Sequence, residues 1–461
     1  MRAIVFAISG CPAGWLGAYG NDWVGTPNLD RLAAEAVTFD RHISDNPDPS
    51  AARRAWLGGP AQPAARAEGK GQENTGEPEP AAVREGSAAA FPSAMGVSGA
   101  GLLTCLVRAN HPDNDAPDWF NAGWGEVFDA RPRPDDDSPL DGLLRAWPAL
   151  LDRLGAATDF LVWVEIDRLI PPWDVQQDVF DAYYGDEDDH EPKPSVGVDA
   201  KRESGETDPG AEVASEAFVQ ASDENDIDSS CLVHESPWAE RVPPCADPPT
   251  GPFDSTDLDA WDWLHSTFAA VVTKLDAELG ALFDALRERG FDQSAAWLLT
   301  SDFGHPLGEH GQVGLHRPWL YEELVHLPLI LRLPRGAQPG RRVSGFTQPP
   351  DLFPTLLTLL GVAPPAGTAG FDLLPLARGE AESRRDCAVT RFELGDAAEI
   401  ALRTSEWALL APTKVPEGDA PREPQLYEKP DDRWEVNDLR PRNVDRADEL
   451  EARLRAELKT L

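Results

Sequence analysis

The chain has 461 residues, enough to bury a substantial core and more than one typical domain needs, so one large domain with a smaller companion is the natural prior. Its 80 acidic against 41 basic residues leave a formal charge of −39 at pH 7, a field that repels nucleic-acid backbones and anionic lipid and argues against both as partners. Five cysteines at wide spacings without a CxxC pair give neither a zinc pattern nor a disulfide framework and suit a reducing, cytoplasmic compartment, and no apolar run approaches the roughly 20 residues that span a bilayer.

At the amino end, MRAIVFAISGC has a basic residue, an apolar run and then Ile8, Ser9, Gly10 and Cys11, in the manner of a lipoprotein cleavage box. The run from Ala3 to Ile8 is shorter than the about 7 to 15 residues of a signal peptide, so Arg2 to Ile8 reads instead as the first strand of a sheet. Pro27 suits the first turn of a helix whose Leu29, Leu32 and Ala33 share a face. In DPSAARRAWLGG, Ser50 reads as the N-cap of a short helix ending at Gly58; the alternative is an anion cradle made of that helix end with Arg53 and Arg54. Pro60 to Ala90 lacks periodicity and reads as a flexible insertion.

LLTCLVRANH is a strand candidate, followed by GWGEVFDA; DGLLRAWPALLDRL is an amphipathic helix, and FLVWVEI, Phe160 to Ile166, is a buried strand. Gly185 to Ser230 holds 15 acidic and 3 basic residues and is expected to be a solvated, disordered stretch. The run from Thr267 to Phe291 traces one apolar face through Phe268, Leu275, Leu282 and Leu286 and is stopped by Gly290. It leads into an apolar strand from Ala295 to Leu299, a helix–strand step that points to a βαβ crossover and a parallel sheet.

Asp302 falls at the carboxyl end of that strand, where open α/β sheets bind ligands, and the loop beyond it carries His305, His310 and His316, three of the chain's nine histidines. The alternative is that Asp302 caps a turn and the histidines are solvated loop residues. Further on, LPLILRLP is a strand, QPPDLFPTLLTLLGVAPP a helix closed by Gly361, and from about Asp386 short runs suggest an antiparallel sheet. A final helix puts Leu450, Leu454 and Leu458 on one face.

The stretch TSDFGHPLGEHGQVGLHRPWLYEELVHLPLILR resembles the carboxyl-terminal signature of the sulfatases, members of the alkaline-phosphatase superfamily, which reads close to TSDHGxxxGEHGxxxKHxxxYEExxxxPLI. AGWLGAYGNDWVGTPNLDRLAAEAVTFDRHIS is similar to the opening of that family, and FDLLPLARGE and PQLYEKPDDRWEVNDL to its later segments. The resemblance implies an α/β fold: a large mixed, mostly parallel sheet flanked by helices over residues 1–385, and a small C-terminal α+β subdomain with antiparallel strands and a terminal helix over 386–461.

It also implies a site, and departs from it. The acidic pair that helps hold the family's divalent cation falls on Ser9 and Gly10, Gly14 and Trp15 stand where an Asp and a His often follow, the histidine after Asp302 is Phe303, and the lysine before His316 is Leu315. A histidine expected near the end of the Phe160 strand is Leu169 or Ile170. Setting Arg54 on the arginine of the C/SxPxR motif makes Ser50 the nucleophile; setting Arg53 there puts Pro49 in its place. Carried over, the catalytic positions are Ser50, Arg53, Arg54 and His316, and the metal position is Asp302.

The expectation is a catalytically degenerate bacterial member that needs no cofactor and binds a sulfated small molecule or saccharide, or another protein. The alternative is an active sulfuric-ester or phosphoester hydrolase with Ca²⁺ or another divalent cation, its site rebuilt from His305, Glu309 and His310 beside Asp302.

Overall fold

The computed structural model describes residues 1–58, 102–111, 114, 116–133, 135–136, 138–185, 242–418 and 421–459. The two expected insertions, Pro60 to Ala90 and Gly185 to Ser230, lie outside them apart from Gly185. Met1–Tyr184 and Pro244–Leu461 form one compact unit.

Its main sheet contains β1 (Arg2–Ile8), β2 (Val37–Ile43), β3 (Leu103–Arg108), β4 (Glu126–Asp129), β5 (Phe160–Ile166), β6 (Ala296–Ser301), β7 (Leu329–Arg332) and β8 (Arg341–Thr347). They lie in the order β8-β2-β7-β6-β1-β5-β3-β4, with the two-residue strand His326–Leu327 beside β2. Among the eight, only the pairings of β7 are antiparallel, so the sheet is mixed and mostly parallel as expected. Its longer helices are α1 (Pro27–Ala34), α2 (Pro49–Trp56), α3 (Asp141–Gly155), α4 (Leu258–Glu288) and α5 (Leu352–Leu359).

Strand alternation assigns these helices to faces. Ile4, Phe6 and Ile8 share a core with Leu143 of α3 and Phe268 and Phe283 of α4, whereas Ala3, Val5 and Ala7 share another with Ala52 and Trp56 of α2 and Leu356 of α5. A second sheet, β9 (Cys387–Leu394), β10 (Ala397–Thr404), β11 (Trp407–Lys414) and β12 (Gln425–Glu428), is antiparallel throughout. One of its faces is covered by Leu450 and Leu454 of α6 (Val444–Glu457), and the other packs on the loop that follows β6.

Two details were not foreseen. α4 begins at Leu258, capped by the Asp257 side chain on the Ala260 N–H at 3.1 Å, and so extends nine residues before the expected Thr267. The N-terminus of α1 is capped from a distant element: the buried Asp276 carboxylate of α4 accepts from the backbone N–H groups of Asn28 and Leu29 at 3.0 and 2.8 Å. That approach needs Gly280 one turn on, because a Cβ there would come within 2.4 Å of Asn28 Cγ. Asp276→Ala strands one buried and one half-buried donor and should lower stability by about 2 to 4 kcal/mol, read from the urea midpoint at unchanged m-value.

Candidate functional site

Parallel pairing brings three strand ends to one edge. Ile8 of β1 is in register with Ser301 of β6 on one side and Ile166 of β5 on the other, so Ser9 and Asp302 leave the sheet side by side. Ser9 is held by its N–H to the Ile166 carbonyl at 2.7 Å. α2, packed on the sheet through Ala52 and Trp56, supplies Arg53.

Asp302 is 1% exposed and accepts from the Ser9 hydroxyl at 2.9 Å, the Gly10 N–H at 3.3 Å and the Phe303 N–H at 2.9 Å. Its counter-charge is Arg53, whose Nη1 lies 3.4 Å from Oδ2. The same guanidinium binds the buried Glu165 of β5 through Nε at 3.0 Å and through Nη2, and the Pro49 carbonyl through Nη1 at 3.0 Å. The other oxygen of Glu165 accepts from Trp163 Nε1 at 2.6 Å. At 3.4 Å and an effective dielectric near 20 the Arg53–Asp302 attraction is on the order of 5 kcal/mol before desolvation is counted. One cation shared by two buried anions leaves the cluster short of positive charge. Burial therefore pushes the Asp302 carboxyl up to about 6, with Arg53 and Ser9 pulling it down and Glu165 raising it. Arg53 itself is held above its ordinary value, burial being outweighed by Glu165 and Asp302.

Apolar side chains surround this cluster. A Cβ at Gly10, whose φ is +73°, would meet Ile170 Cδ1 at 2.6 Å, so the space a side chain would need there is already taken. Phe303 is buried in a cluster with Leu320, Tyr321 and Phe346, against which Ile170, Leu315 and Trp319 pack. Phe303 and Leu315, where the family resemblance implies a histidine and a lysine, therefore contribute to one hydrophobic patch; of the two positions open for the other histidine, Ile170 packs on that patch and Leu169 is buried in the core that holds Ile8.

Other expected site residues lie elsewhere or act differently. Ser50 is not the N-cap: Asp48 is, accepting from the Ala51 N–H at 2.7 Å, because a carboxylate complements the helix dipole and Pro49 is preset for the first turn. Arg54 lies over Trp119 at 5.3 Å, on a different face of α2 from Arg53. His316 makes no hydrogen bond to Asp302, Ser9 or Arg53. His310 is paired with Glu323 at 2.7 Å and the Glu435 carbonyl at 3.1 Å and stacks on Tyr321, which ties it to the second sheet. Glu309 accepts from the Leu307 N–H at 2.6 Å, and burial next to Glu323 pushes its carboxyl up to about 8. His305, 5% exposed, does sit beside Gly10; it stacks on Phe268, neither ring nitrogen has a hydrogen-bond partner, and burial lowers it to about 4. Glu165 was missed. Its only signal was an acid inside an otherwise apolar strand, which must find a partner when both faces are covered.

These residues do not fit the divalent cation that the resemblance implies. Calcium takes about 6 to 8 oxygen ligands, and the acids here are Asp302 and Glu165, both already engaged by a guanidinium that a dication would repel. Among the described residues no group of three or more His, Cys, Asp or Glu is arranged to hold a metal.

Residues 218–362 match the family model described as Sulfatase, and residues 308–461 match that described as N-sulphoglucosamine sulphohydrolase, C-terminal. The chain is similar to arylsulfatase K of Xenopus laevis, 27% identical over 217 residues that cover 45% of this chain and 39% of that protein. It is similar also to N-acetylglucosamine-6-O-sulfatase of Bacteroides thetaiotaomicron, 29% identical over 154 residues that cover 33% and 27%. The matched stretches thus span well under half of these relatives. Among solved structures, the phosphonate monoester hydrolase of Agrobacterium radiobacter aligns with a TM-score of 0.60 at 17% identity, covering 99% of this chain and 95% of that one. A protein solved in complex with its substrate D-glucosamine-2-N,6-O-disulfate aligns with a TM-score of 0.62 at 18% identity, covering 99% and 97%. At such identities the likeness is one of fold.

Two outcomes are expected. Arg53→Met leaves two buried carboxylates without their cation and should cost about 3 to 5 kcal/mol, whereas Asp302→Asn leaves Arg53 with Glu165 and should cost only about 1 to 3 kcal/mol; chemical denaturation of both variants checks the order. The second concerns pH. Burial raises Glu309 to about 8 and Glu399 to about 7, so the folded chain holds protons that the unfolded chain has released, and that stability is lost as pH rises through those values. Buried His42, His265 and His305, lowered to about 3, 4 and 4, act in the opposite sense, losing stability as pH falls below about 6.5. Melting temperature should therefore rise as pH is lowered from about 8.5 to 6.5, and Glu309→Gln should flatten that slope.

Proposed function

We propose that this chain, which belongs to the sulfatase family, has kept the family's fold and given up its hydrolytic site, and that it works by binding rather than by turnover. The observation that carries this reading is the Arg53 guanidinium between Asp302 and Glu165, a fixed organic cation where the resemblance implies a metal ion. The nucleophile position supports it too. Arg53 is the arginine that reaches Asp302, so the residue four earlier, on the same helical face, is Pro49, which has no side-chain nucleophile. Restoring an acid at Gly10 would need both an unfavourable backbone conformation and displacement of Ile170.

The occupant we favour is a sulfated saccharide or a small sulfate ester, by analogy with the relatives' names and the disulfated glucosamine in a structural neighbour; a protein partner is the second class. A reducing, cytoplasmic setting fits the described cysteines Cys11, Cys105, Cys245 and Cys387, all free and buried. One observation favours the other reading, an active sulfuric-ester or phosphoester hydrolase: His305, beside Gly10, has two unpartnered ring nitrogens.

A panel of aryl sulfates, phosphate monoesters and phosphate diesters, with Ca²⁺, Mg²⁺, Mn²⁺ or Zn²⁺ added in turn, separates the two. The expected result is no turnover above background by the parent chain. Turnover by the parent that disappears in both Asp302→Asn and His305→Ala would establish a rebuilt hydrolase instead.

A further inference from the structure

A cavity of about 250 Å³ lies between the main sheet and the C-terminal sheet, lined by side chains that play no part in the Asp302 cluster. Its charge is opposite to that of the chain. Arg41 of β2, Arg342 of β8, Arg403 of β10, and Lys429 and Arg433 beyond β12 face only two carboxylates, Asp40 and Glu322, in a protein of net charge −39.

The internal ion pairs do not use up this positive charge. Asp40 is taken by Arg342 at 2.5 Å, and Glu322 is shared by His326 Nδ1 at 2.8 Å, Lys429 at 3.3 Å and Arg403 at 3.5 Å. Glu435, which also binds Arg403 and Lys429, is not among the lining residues. Among the described residues neither Arg41 nor Arg433 has a carboxylate within ion-pair distance; they lie over the rings of Phe346 and Trp434 at 5.2 and 4.9 Å. Arg403 is 3% exposed, and its Nε and Nη1 have no hydrogen-bond partner. Buried guanidinium donors without acceptors are costly, and a ligand that accepts several hydrogen bonds at once would relieve that cost.

We propose that this cavity binds a compact tetrahedral oxyanion, sulfate or phosphate, either free or as a monoester. Arginine forks match the paired oxygens of such a group, and Ile43 and Phe346 in the wall offer an apolar surface to the ester's organic part. The proposal stands apart from the reading of Asp302, since none of Asp302, Arg53, Glu165, Ser9 and Gly10 lines the cavity.

Isothermal titration at low salt with inorganic sulfate, inorganic phosphate, phenyl sulfate and phenyl phosphate tests it. Saturable binding at one site per chain is expected for at least one probe, weakening as NaCl is raised. Tighter binding of the phenyl esters than of the ions would identify an ester as occupant, and equal binding a free oxyanion. The double variant Arg41→Gln/Arg433→Gln, checked by circular dichroism and melting temperature, should bind at least tenfold more weakly. Each single variant should lose a smaller factor, and Arg446→Gln on α6 should bind like the parent. Absence of saturation by all four probes, or a correctly folded double variant that binds like the parent, would overturn the proposal.

Discussion

Arg53 holds two carboxylates that could not otherwise stay charged at the end of the sheet. Glu165 is 2% exposed and Asp302 1%, and moving each from water into that setting costs several kcal/mol that only a close cation can offset. The cation is fixed from three directions: the Pro49 carbonyl within its own helix, Glu165 on β5 and Asp302 beyond β6, with Phe120 beneath its plane at 5.7 Å. α2 is thus clamped to two strand ends at once. The Ser9 hydroxyl and the Gly10 N–H complete the shell of Asp302, so the same residues that remove a metal's anionic ligands supply the hydrogen bonds that let Asp302 do without one.

The loop beyond Asp302 is fixed by a different kind of interaction. It presents backbone groups and acids to a charged seam on the second sheet: Glu399 accepts from the Leu320 N–H at 2.7 Å, Arg403 donates to the Leu320 carbonyl at 2.7 Å, and Glu435 accepts from the Glu322 N–H at 2.8 Å. Behind these contacts Arg422 pairs with Glu399, and Arg403 and Lys429 with Glu435. Buried networks of this sort specify an arrangement more than they stabilise it, because each member left alone would be an unpaired charge. The C-terminal sheet therefore sets the conformation of the His310–Glu323 segment, and it walls one side of the basic cavity with Arg403 and Lys429.

Much of the scaffold was legible because it is local. FLVWVEI reads as a strand and is one, Phe160–Ile166; DGLLRAWPALLDRL reads as a helix and occupies Asp141–Gly155; the family resemblance added the order of elements. Asp302 could be singled out because its place at a strand end follows from chain order alone. What sequence could not supply were pairings across the fold. The motif left both Arg53 and Arg54 open, since neither alignment preserves it, and only the orientation of α2 sends one to Asp302 and the other to Trp119. Ser50 and Asp48 are both cap formers one proline apart, and Pro49 at the first helical position decides for Asp48. His310 and Glu309 looked like site residues because they follow Asp302 closely, yet His310 is held by Glu323 and by the Glu435 carbonyl, 125 positions away, and Glu309 by the Leu307 N–H of its own turn.

The central claim is that Arg53 has taken over the charge a divalent ion would carry, and calcium titration of the dialysed protein addresses it without reference to any substrate. With Arg53 in place, calorimetry should give no saturable heat at one ion per chain, because the dication would have to displace a guanidinium that already contacts both carboxylates and would repel it. Stoichiometric calcium binding by the parent chain, lost in Asp302→Asn, would contradict the account.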